Sequence, residues 1–307
     1  MIIYDGKKWW AGLVHFHKSY IIKKSLKAVL FIGLFSAAIV IIEQHLYDFH
    51  MKFDTTIYSL LGIMLSLLMV FRLNTSYDRW WEGRKQWGLL INKTRFLAIM
   101  ANRVIPKVHQ HKFALIVANY CYALRDHLRN HKDYSLITEY DESFEQTTSP
   151  TITHIPNKIA NDLYAHIQDL YNQKIYDGFE YANFKTECMA LLDIQGACER
   201  IKATPIPYAH NFFIKLFIST YCILLPMILA PNMDWYAIPI TMFVSYALVG
   251  IEYISAEVEE PFGMDCNDLP TSYIAQNIHR HVFEIFDFEE PEIRDKEPQS
   301  AEYVKLH

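Results

Sequence analysis

The sequence lacks the motifs that mark the common enzyme classes and the positive charge that marks nucleic-acid-binding proteins. None of the GxSxG, P-loop, HExxH or dinucleotide-binding patterns occurs in its 307 residues. The net charge of −5 argues against a nucleic-acid surface. The N-terminus shows no cleavable signal, and no internal repeat is visible. We therefore expect neither an enzyme nor a nucleic-acid-binding protein, and no cofactor.

Metal-binding spacings are also missing. The five cysteines, at 121, 188, 198, 222 and 266, form no CxxC pair, which argues against a zinc site or a redox pair. We expect their thiols to be reduced, in a cytosol-facing or buried setting. Histidines occur as three His-x-His pairs, at 15/17, 109/111 and 279/281. Residues two apart on a helix do not face each other, so these pairs predict no metal site.

What the chain does contain is apolar surface arranged in belts. Hydrophobic residues make up 51% of it and aromatic residues 15%, yet 21% is charged, and the mean hydropathy is +0.02. Four apolar stretches stand out, at 28–42, 57–71, 212–230 and 235–251. A membrane-spanning helix needs about 20 residues, so the two shorter stretches are also compatible with buried soluble helices. Tyr and Trp at the edges, and Lys215 near one end, favour membrane spans.

Basic residues predict the orientation. They precede the first stretch, follow the second and precede the third, whereas the links at 43–56 and 231–234 contain only Lys52. The positive-inside rule then places both termini and the long middle segment in the cytoplasm. Helical patterns cover 84–105, 113–130, 157–175 and 184–203 of that segment, with a polar loop at 131–156.

We predict an all-α integral membrane protein with four transmembrane helices and a helical cytosolic region. Its predicted parts are 1–83, with spans one and two, 84–210, the cytosolic region, 211–256, with spans three and four, and 257–307. The last part contains a helix near 271–287 and an acidic tail that we expect to be solvated and disordered.

One apolar ridge on the second span is a candidate pore lining. Ile63, Leu67 and Phe71 lie four residues apart, so they align on one side of a helix. In a ring of identical subunits, such a ridge would form three stacked apolar rings, and apolar constrictions gate ion flow by dewetting. The alternative is that the ridge packs against a neighbouring helix. Small residues beside it permit close helix packing: Ser59, Gly62 and Ser66.

A charged, aromatic collar follows the ridge directly. Trp80 and Trp81 fit a membrane interface, and Arg79 can pair with Asp78 or Glu82 beside it. Four acids cluster at the end of the fourth span, where they either line a cation-attracting vestibule or form a solvated face: Glu252, Glu257, Glu259 and Glu260. Before the third span, Pro205 and Pro207 restrict φ and stiffen the entry.

Three segments together resemble the bestrophin family in its bacterial branch. They are FRLNTSYDRWWEGRKQWG (71–88), GACERIKATPIPYAH (196–210) and EEPFGMDCNDLP (259–270), and they occur in the order and topology of that family. The motif residues are Arg79, Trp80, Trp81, Pro205, Pro207, Pro261, Phe262 and Gly263. The resemblance covers most of the chain.

The resemblance implies a homopentameric ion channel with one axial pore in the bacterial cytoplasmic membrane. Counted from the Arg-Trp-Trp triplet, the three apolar neck positions of the family fall on Ile63, Leu67 and Phe71. The family has a second, cytosolic constriction before the GACER helix, and an ungapped count back from Pro207 places it at Phe179. The implied partners are the lipid bilayer, monovalent ions and further copies of the chain.

The resemblance also implies a Ca²⁺ clasp at the PFG segment of animal relatives, which this sequence retains only in degraded form. Met264 stands where an acidic ligand is expected, and Cys266 and Asn267 dilute the charge around Asp265 and Asp268. Calcium prefers six to eight oxygen ligands. We therefore expect no Ca²⁺ site and no Ca²⁺ gating; instead, Asp265 and Asp268 would cap the following helix or pair with basic residues.

The predicted function is passive passage of small monovalent ions. Apolar neck rings cannot select ion sign by fixed charge; the acidic balance of the chain favours cations, and chloride is the alternative because animal relatives conduct it. Two other functions stay open. One is a membrane-anchored scaffold or sensor that binds a cytosolic partner, and the other is a membrane enzyme that uses buried acids such as Asp193 or Glu199.

Overall fold

A computed structural model describes residues 2–4, 20–45, 55–131, 136–140, 152–265, 267–289 and 304–306 of the chain. Several sequence expectations lie outside these residues. They concern the His15/His17 pair, the basic residues at 7, 8 and 18, Lys52, the thiol of Cys266, most of the polar loop, and the acidic tail at 290–303.

The described residues are almost entirely helical, which confirms the all-α prediction. The helices are α1 (Tyr20–His45), α2 (Thr55–Val104), α3 (Lys107–Leu128), α4 (Ile155–Asn172), α5 (Gly178–Ala203), α6 (Tyr208–Met233), α7 (Ala237–Val258) and α8 (Thr271–Ile285). A single 3₁₀ turn, Asp234–Tyr236, joins α6 to α7. Two three-residue strands, β1 (Ile2–Tyr4) and β2 (Val304–Leu306), form a small sheet.

Helix α2 is longer than the sequence pattern suggested. The sequence predicts an apolar span that ends near Phe71 and a separate helix from residue 84, but the structure has one helix of 50 residues. No proline interrupts the stretch, and pairs one turn apart support its polar part, such as Gln86 Nε2 to Glu82 Oε1 at 2.8 Å. The change from apolar to charged composition therefore marks a change of environment along α2, not the end of a helix.

Helix α5 begins six residues earlier than predicted. The carboxylate of Asp177 accepts hydrogen bonds from the backbone N–H groups of Phe179 at 3.0 Å and Glu180 at 2.9 Å. This N-cap satisfies two of the amides that have no partner within the helix. Phe179 consequently lies on the first turn of the helix that also contains the GACER sequence, and not before that helix.

The chain folds as two compact units, which we name the core unit and the apolar unit. The core unit comprises residues 1–3, 80–204 and 260–304, and the apolar unit comprises residues 4–79, 205–259 and 305–307. Three candidate membrane spans are long and apolar enough to cross a bilayer: Lys24–Gln44, a window within Thr55–Val104, and Tyr208–Val258. The third candidate includes both α6 and α7.

In the core unit, α3 is the central helix. Its side chains from Phe113 to Leu124 are buried, and α4, α5 and α8 pack around it. Phe113 lies edge-on to Phe184 of α5, with ring centroids 6.2 Å apart, and to Phe286 just after α8, at 6.3 Å. A helix that is apolar on all sides requires such a complete shell of neighbours.

In the apolar unit, α1 packs on α6 and α7, and these two helices pack on each other. Helix α2 contributes only one face, because Leu65 and Met69 are buried among Ile214, Ile218 and Cys222. Gly62 permits this approach: a Cβ atom there would lie 2.8 Å from Oη of Tyr221. The close helix packing expected at Gly62 is therefore confirmed.

The cysteines of the described residues are free and buried, as the sequence predicts: Cys121, Cys188, Cys198 and Cys222. Burial raises the pKa of the Cys188 and Cys198 thiols to about 12. These thiols therefore stay protonated and unreactive at neutral pH.

Two phenylalanines of α5 provide a matched test of the core. Phe184 is fully buried, whereas Phe179 is 73% exposed. Phe184→Ala leaves a cavity beside Phe113, so we expect it to lower the free energy of unfolding by about 3–5 kcal/mol. Phe179→Ala should change it by no more than about 0.5 kcal/mol. Thermal unfolding of the detergent-solubilised protein measures both, and equal shifts would contradict the assigned core.

Candidate pore-lining face and buried charge cluster

The three side chains of the predicted neck are exposed on α2. Ile63 is 68% exposed, and Leu67 and Phe71 are each 57% exposed. Exposed side chains of this size on an apolar helix need a partner other than water. Among the described residues, no helix of the same chain buries these three side chains.

The neck residues lie on the side of α2 opposite its buried face. Tyr58, Leu65, Met69, Arg72 and Ser76 are buried. At about 100° per residue, these five centre on one side of the helix, and Leu67 lies close to 180° from that centre. The neck ridge therefore faces away from the described helices that α2 packs against in the apolar unit.

Three hydroxyl groups of α2 near the neck ridge are satisfied within the helix. Ser59 Oγ donates to the Thr55 carbonyl at 2.8 Å, Ser66 Oγ to the Gly62 carbonyl at 2.8 Å, and Thr75 Oγ1 to the Phe71 carbonyl at 2.9 Å. A hydroxyl bonded to the carbonyl four residues earlier needs no water. These residues can therefore face an apolar constriction or lipid without an unpaired polar group.

Directly beside the ridge, a buried arginine connects α2 to the end of α7. Arg72 is 1% exposed, and its Nη2 lies 2.8 Å from Oε2 of Glu259. Its Nε lies 3.4 Å from Oε2 of Glu252, and its Nη1 donates to Ser76 Oγ at 3.0 Å. We name Arg72, Glu252, Glu259 and Lys215 the charge cluster.

The charge cluster pairs each carboxylate with at least one cation. Lys215 Nζ lies 3.9 Å from Oε1 of Glu252, so two cations face two carboxylates. Oε1 of Glu259 accepts the Ile206 N–H at 2.9 Å, and Arg79 Nε donates to the Glu259 carbonyl at 3.2 Å. Because buried charge is tolerated only when paired and hydrogen-bonded, these contacts explain how Arg72, Glu252 and Glu259 are accommodated in an apolar unit, while the Lys215 side chain stays 59% exposed.

The sequence interpretation of these acids was wrong for two of the four. Glu252 and Glu259 are each 6% exposed and hold Arg72, so they neither line a vestibule nor form a solvated face. Sequence reasoning missed the contact because the partners are 180 and 187 residues apart. A signal was present: Arg72 and Glu252 each directly follow an apolar stretch, and a charge held so close to apolar surface requires a partner.

In the core unit, Trp80 of the Arg-Trp-Trp motif supports the PFG segment. Trp80 Nε1 donates to the Asn267 carbonyl at 3.0 Å, and its ring packs against the buried core. Trp80 is thus held by the PFG segment rather than exposed as an interfacial anchor, whereas Trp81 is 49% exposed. Gly83 leaves room for the Phe262 ring, since a Cβ at Gly83 would lie only 3.1 Å from Cζ of that ring.

The two predicted clasp acids have different environments. Asp265 is exposed, and Asp268 is buried. Oδ2 of Asp268 accepts the Asp265 N–H at 2.7 Å and would lie 2.5 Å from a Cβ at Gly263. The N-cap residue of α8 is Pro270, so neither acid caps that helix. Asp268 instead closes the turn that follows the PFG sequence.

Residues 1–284 match the family described as "Bacterial/Fungal Bestrophin protein". The chain belongs to this bestrophin family. Among curated relatives, it is 29% identical over 283 residues to a voltage-dependent anion channel-forming protein of Nostoc sp., covering 90% of this chain and 92% of that protein. It is 30% identical over 237 residues to a protein of the same name from Mesorhizobium japonicum, covering 76% and 75%.

Solved bestrophin structures share the fold. A bacterial bestrophin homologue from Klebsiella pneumoniae superimposes with a TM-score of 0.79 at 22% identity, over 86% of this chain and 99% of that one. A point mutant of the same homologue gives a TM-score of 0.79 at 24% identity, with the same coverage. At these identities, the likeness establishes the fold alone.

The remaining motif residues of this bestrophin are structural. Pro207 is the N-cap residue of α6, with φ of −51° and ψ of 132°, and the segment from Pro205 to Pro207 presents the Ile206 N–H to Glu259. The prolines therefore fix the start of α6, as predicted. They also position the Ile206 N–H to donate to Glu259 of the charge cluster.

Of the acids proposed for an enzyme, Asp193 is exposed, so its predicted burial was wrong. Glu199 is half-buried and contacts His127 and His154. Membership in the bestrophin family, with relatives named as channel-forming proteins, confirms that the chain is not an enzyme.

Removing Arg72 tests the charge cluster. Arg72→Met leaves Glu252 and Glu259 buried without their cation, so we expect it to lower the free energy of unfolding by about 3–5 kcal/mol. Adding Glu252→Gln and Glu259→Gln to Arg72→Met removes the stranded charge and should recover most of this loss. Thermal unfolding in detergent measures both variants.

A surface ion pair provides the control for Arg72. Lys85 Nζ lies 2.5 Å from Oε2 of Glu82, and both side chains are exposed. Lys85→Met should therefore change the free energy of unfolding by at most about 1 kcal/mol. An Arg72→Met protein as stable as Lys85→Met would contradict the structural role of the cluster.

Proposed function

We propose that this bestrophin assembles as a homopentameric ion channel, with Ile63, Leu67 and Phe71 of each subunit forming the neck of an axial pore. The observation that carries the proposal is the exposed apolar ridge on the side of α2 that its own chain leaves uncovered. With five copies around one axis, the ridges of the subunits would contact one another and surround a narrow column of water. The names of the curated relatives support ion conduction.

The proposed topology has four transmembrane helices. Helices α6 and α7 have 26 and 22 residues, so at 1.5 Å per residue each is about 33 Å or longer, enough to cross a 30 Å core alone. The 3₁₀ turn between them permits a reversal of the chain. Basic residues near the other ends of the spans favour cytoplasmic termini and a location in the bacterial cytoplasmic membrane.

The apolar neck governs whether ions pass, not which sign they carry. Rings of isobutyl, sec-butyl and phenyl groups offer an ion no charge, so water leaves the narrowest point readily. Two of the four acids at the end of the fourth span are paired with Arg72 and Lys215, and the relatives are named as anion channel-forming proteins. Sign selection must therefore arise at polar groups outside the neck.

Phe179 is the proposed second constriction. It is 73% exposed on the first turn of α5, where Asp177 fixes the backbone. On the capped first turn of a helix, the Phe179 ring has a better-defined position than it would have in a loop. Repetition of this exposed ring around the pore axis would narrow the cytosolic path.

Shortening the neck side chains tests the pore. Leu67→Ala and Phe71→Ala widen the constriction and keep it wetted, so we expect a severalfold rise in ion flux through each. Ile63→Ala should act in the same direction. Flux into liposomes and currents in planar bilayers measure the effect.

The matched control is Phe243→Ala in α7. Phe243 is 72% exposed, comparable with Phe71, but lies on a different helix, so its loss should leave flux unchanged. Equal flux in Phe71→Ala, Leu67→Ala and wild type would contradict the neck assignment. If none of the proteins passes ions, the scaffold function is favoured instead. Reversal potentials in asymmetric NaCl and KCl determine the ion sign.

Calcium should not regulate this channel. Asp268 already binds the backbone of its own turn, and Asp265 is exposed, so the segment offers fewer oxygens than Ca²⁺ prefers. We expect the same flux and the same Tm in 1 mM Ca²⁺ (about 10³-fold above sensor affinities) and in a chelator. A Ca²⁺-dependent current that Asp268→Asn abolishes would contradict this prediction.

A further inference from the structure

A cluster of three potential ligands lies in the core unit. His127 is at the end of α3, His154 is the N-cap residue of α4, and Glu199 is on α5. Their ligand atoms all lie within 4.8 Å of one another. We propose that His127, His154 and Glu199 form a binding site for a divalent transition-metal ion of the Zn²⁺ type.

The spacing of the ligand atoms fits a tetrahedral ion. His154 Nε2 lies 3.0 Å from Oε1 of Glu199, and His127 Nε2 lies 3.4 Å from the same oxygen. Metal–ligand distances of about 2.0–2.2 Å at tetrahedral angles separate neighbouring ligand atoms by about 3.3–3.5 Å. Movements of a few tenths of an ångström at His154 would admit the ion.

The chemistry of the three groups selects the class of metal. Two imidazole nitrogens and one carboxylate are a ligand set typical of zinc sites that keep a fourth position open. A cavity of about 230 Å³ lies beside the cluster and is lined in part by His127, Asn130 and His131. This cavity supplies a path of entry and room for a water molecule as the fourth ligand.

The surroundings hold the ligands in place. Gln195 Nε2 donates to Oε1 of Glu199 at 3.0 Å. Lys202 Nζ donates to the His127 carbonyl at 2.8 Å and to Asn130 Oδ1 at 2.5 Å, which directs its charge at those two oxygens. Groups that orient ligands in this way contribute strongly to metal affinity.

The His154 ring must change its tautomer when it binds metal. Its Nδ1 accepts the Asn157 N–H at 3.4 Å, which leaves the proton on Nε2, where it faces Glu199. When a metal binds Nε2, the ring proton would be on Nδ1. Nδ1 could then no longer accept the Asn157 N–H. Metal binding would therefore break the long hydrogen bond between Asn157 and His154 and the hydrogen bond between His154 and Glu199. Three metal–ligand bonds would replace them.

Zinc titration of the full-length, chelator-treated protein tests the site. We expect one Zn²⁺ per chain, measured by competition with a chromophoric chelator. Glu199→Gln and His154→Asn should each lower the affinity at least about 100-fold, since even loss of an outer-shell partner costs 10- to 100-fold. Asparagine at 154 keeps a capping side chain for α4, and unchanged Tm in the absence of metal verifies that both variants fold.

Two variants serve as controls. Asp193→Asn removes an exposed acid six residues before Glu199 on α5, and His111→Gln breaks one His-x-His pair; both should bind Zn²⁺ like wild type. Anomalous scattering at the zinc edge should place the ion on His127 and His154. Absence of stoichiometric binding, or binding that survives Glu199→Gln and His154→Asn, would overturn the proposal.

Discussion

The position of one buried arginine governs the apolar unit. Arg72 can be accommodated only where Glu252 and Glu259 meet it, because an unpaired guanidinium in an apolar setting is far more costly than a paired one. Since Arg72 is fixed against α7, helix α2 cannot rotate about its own axis without breaking these contacts. The same restraint orients every other residue of α2 in that unit.

This rotational restraint explains why the ridge is exposed. Phe71 directly precedes Arg72, and Leu67 and Ile63 stand one and two turns before Phe71, so an inward Arg72 turns all three outward. Buried ion pairs contribute little net stability compared with apolar packing, but they can select one arrangement among several. Here the arrangement selected is the one that leaves the apolar ridge exposed, as the proposed assembly requires.

The sequence was informative about periodic features and uninformative about distant pairings. The apolar stretches, the ridge at Ile63, Leu67 and Phe71, and the role of Gly62 follow from local spacing, which helix geometry converts directly into shared faces. The pairing of Arg72 with Glu259 depends on contacts between residues far apart in the chain, and no local pattern encodes it. The start of α5 was predicted too late because the prediction relied on the apolar pattern from residue 184. The N-cap residue Asp177 precedes that pattern.

Acidic residues in a suspected channel invite assignment as ion-binding groups, but here several have internal partners. Glu252 and Glu259 pair with Arg72 and Lys215, and Asp268 accepts a backbone N–H within its own turn. A carboxylate already matched by a cation or an amide exerts little field on a passing ion, because its charge is compensated at short range. In the proposed channel, control of ion passage along α2 would then rest on shape and wetting at the apolar ridge, so a change of side-chain size there should have more effect than a change of charge behind it.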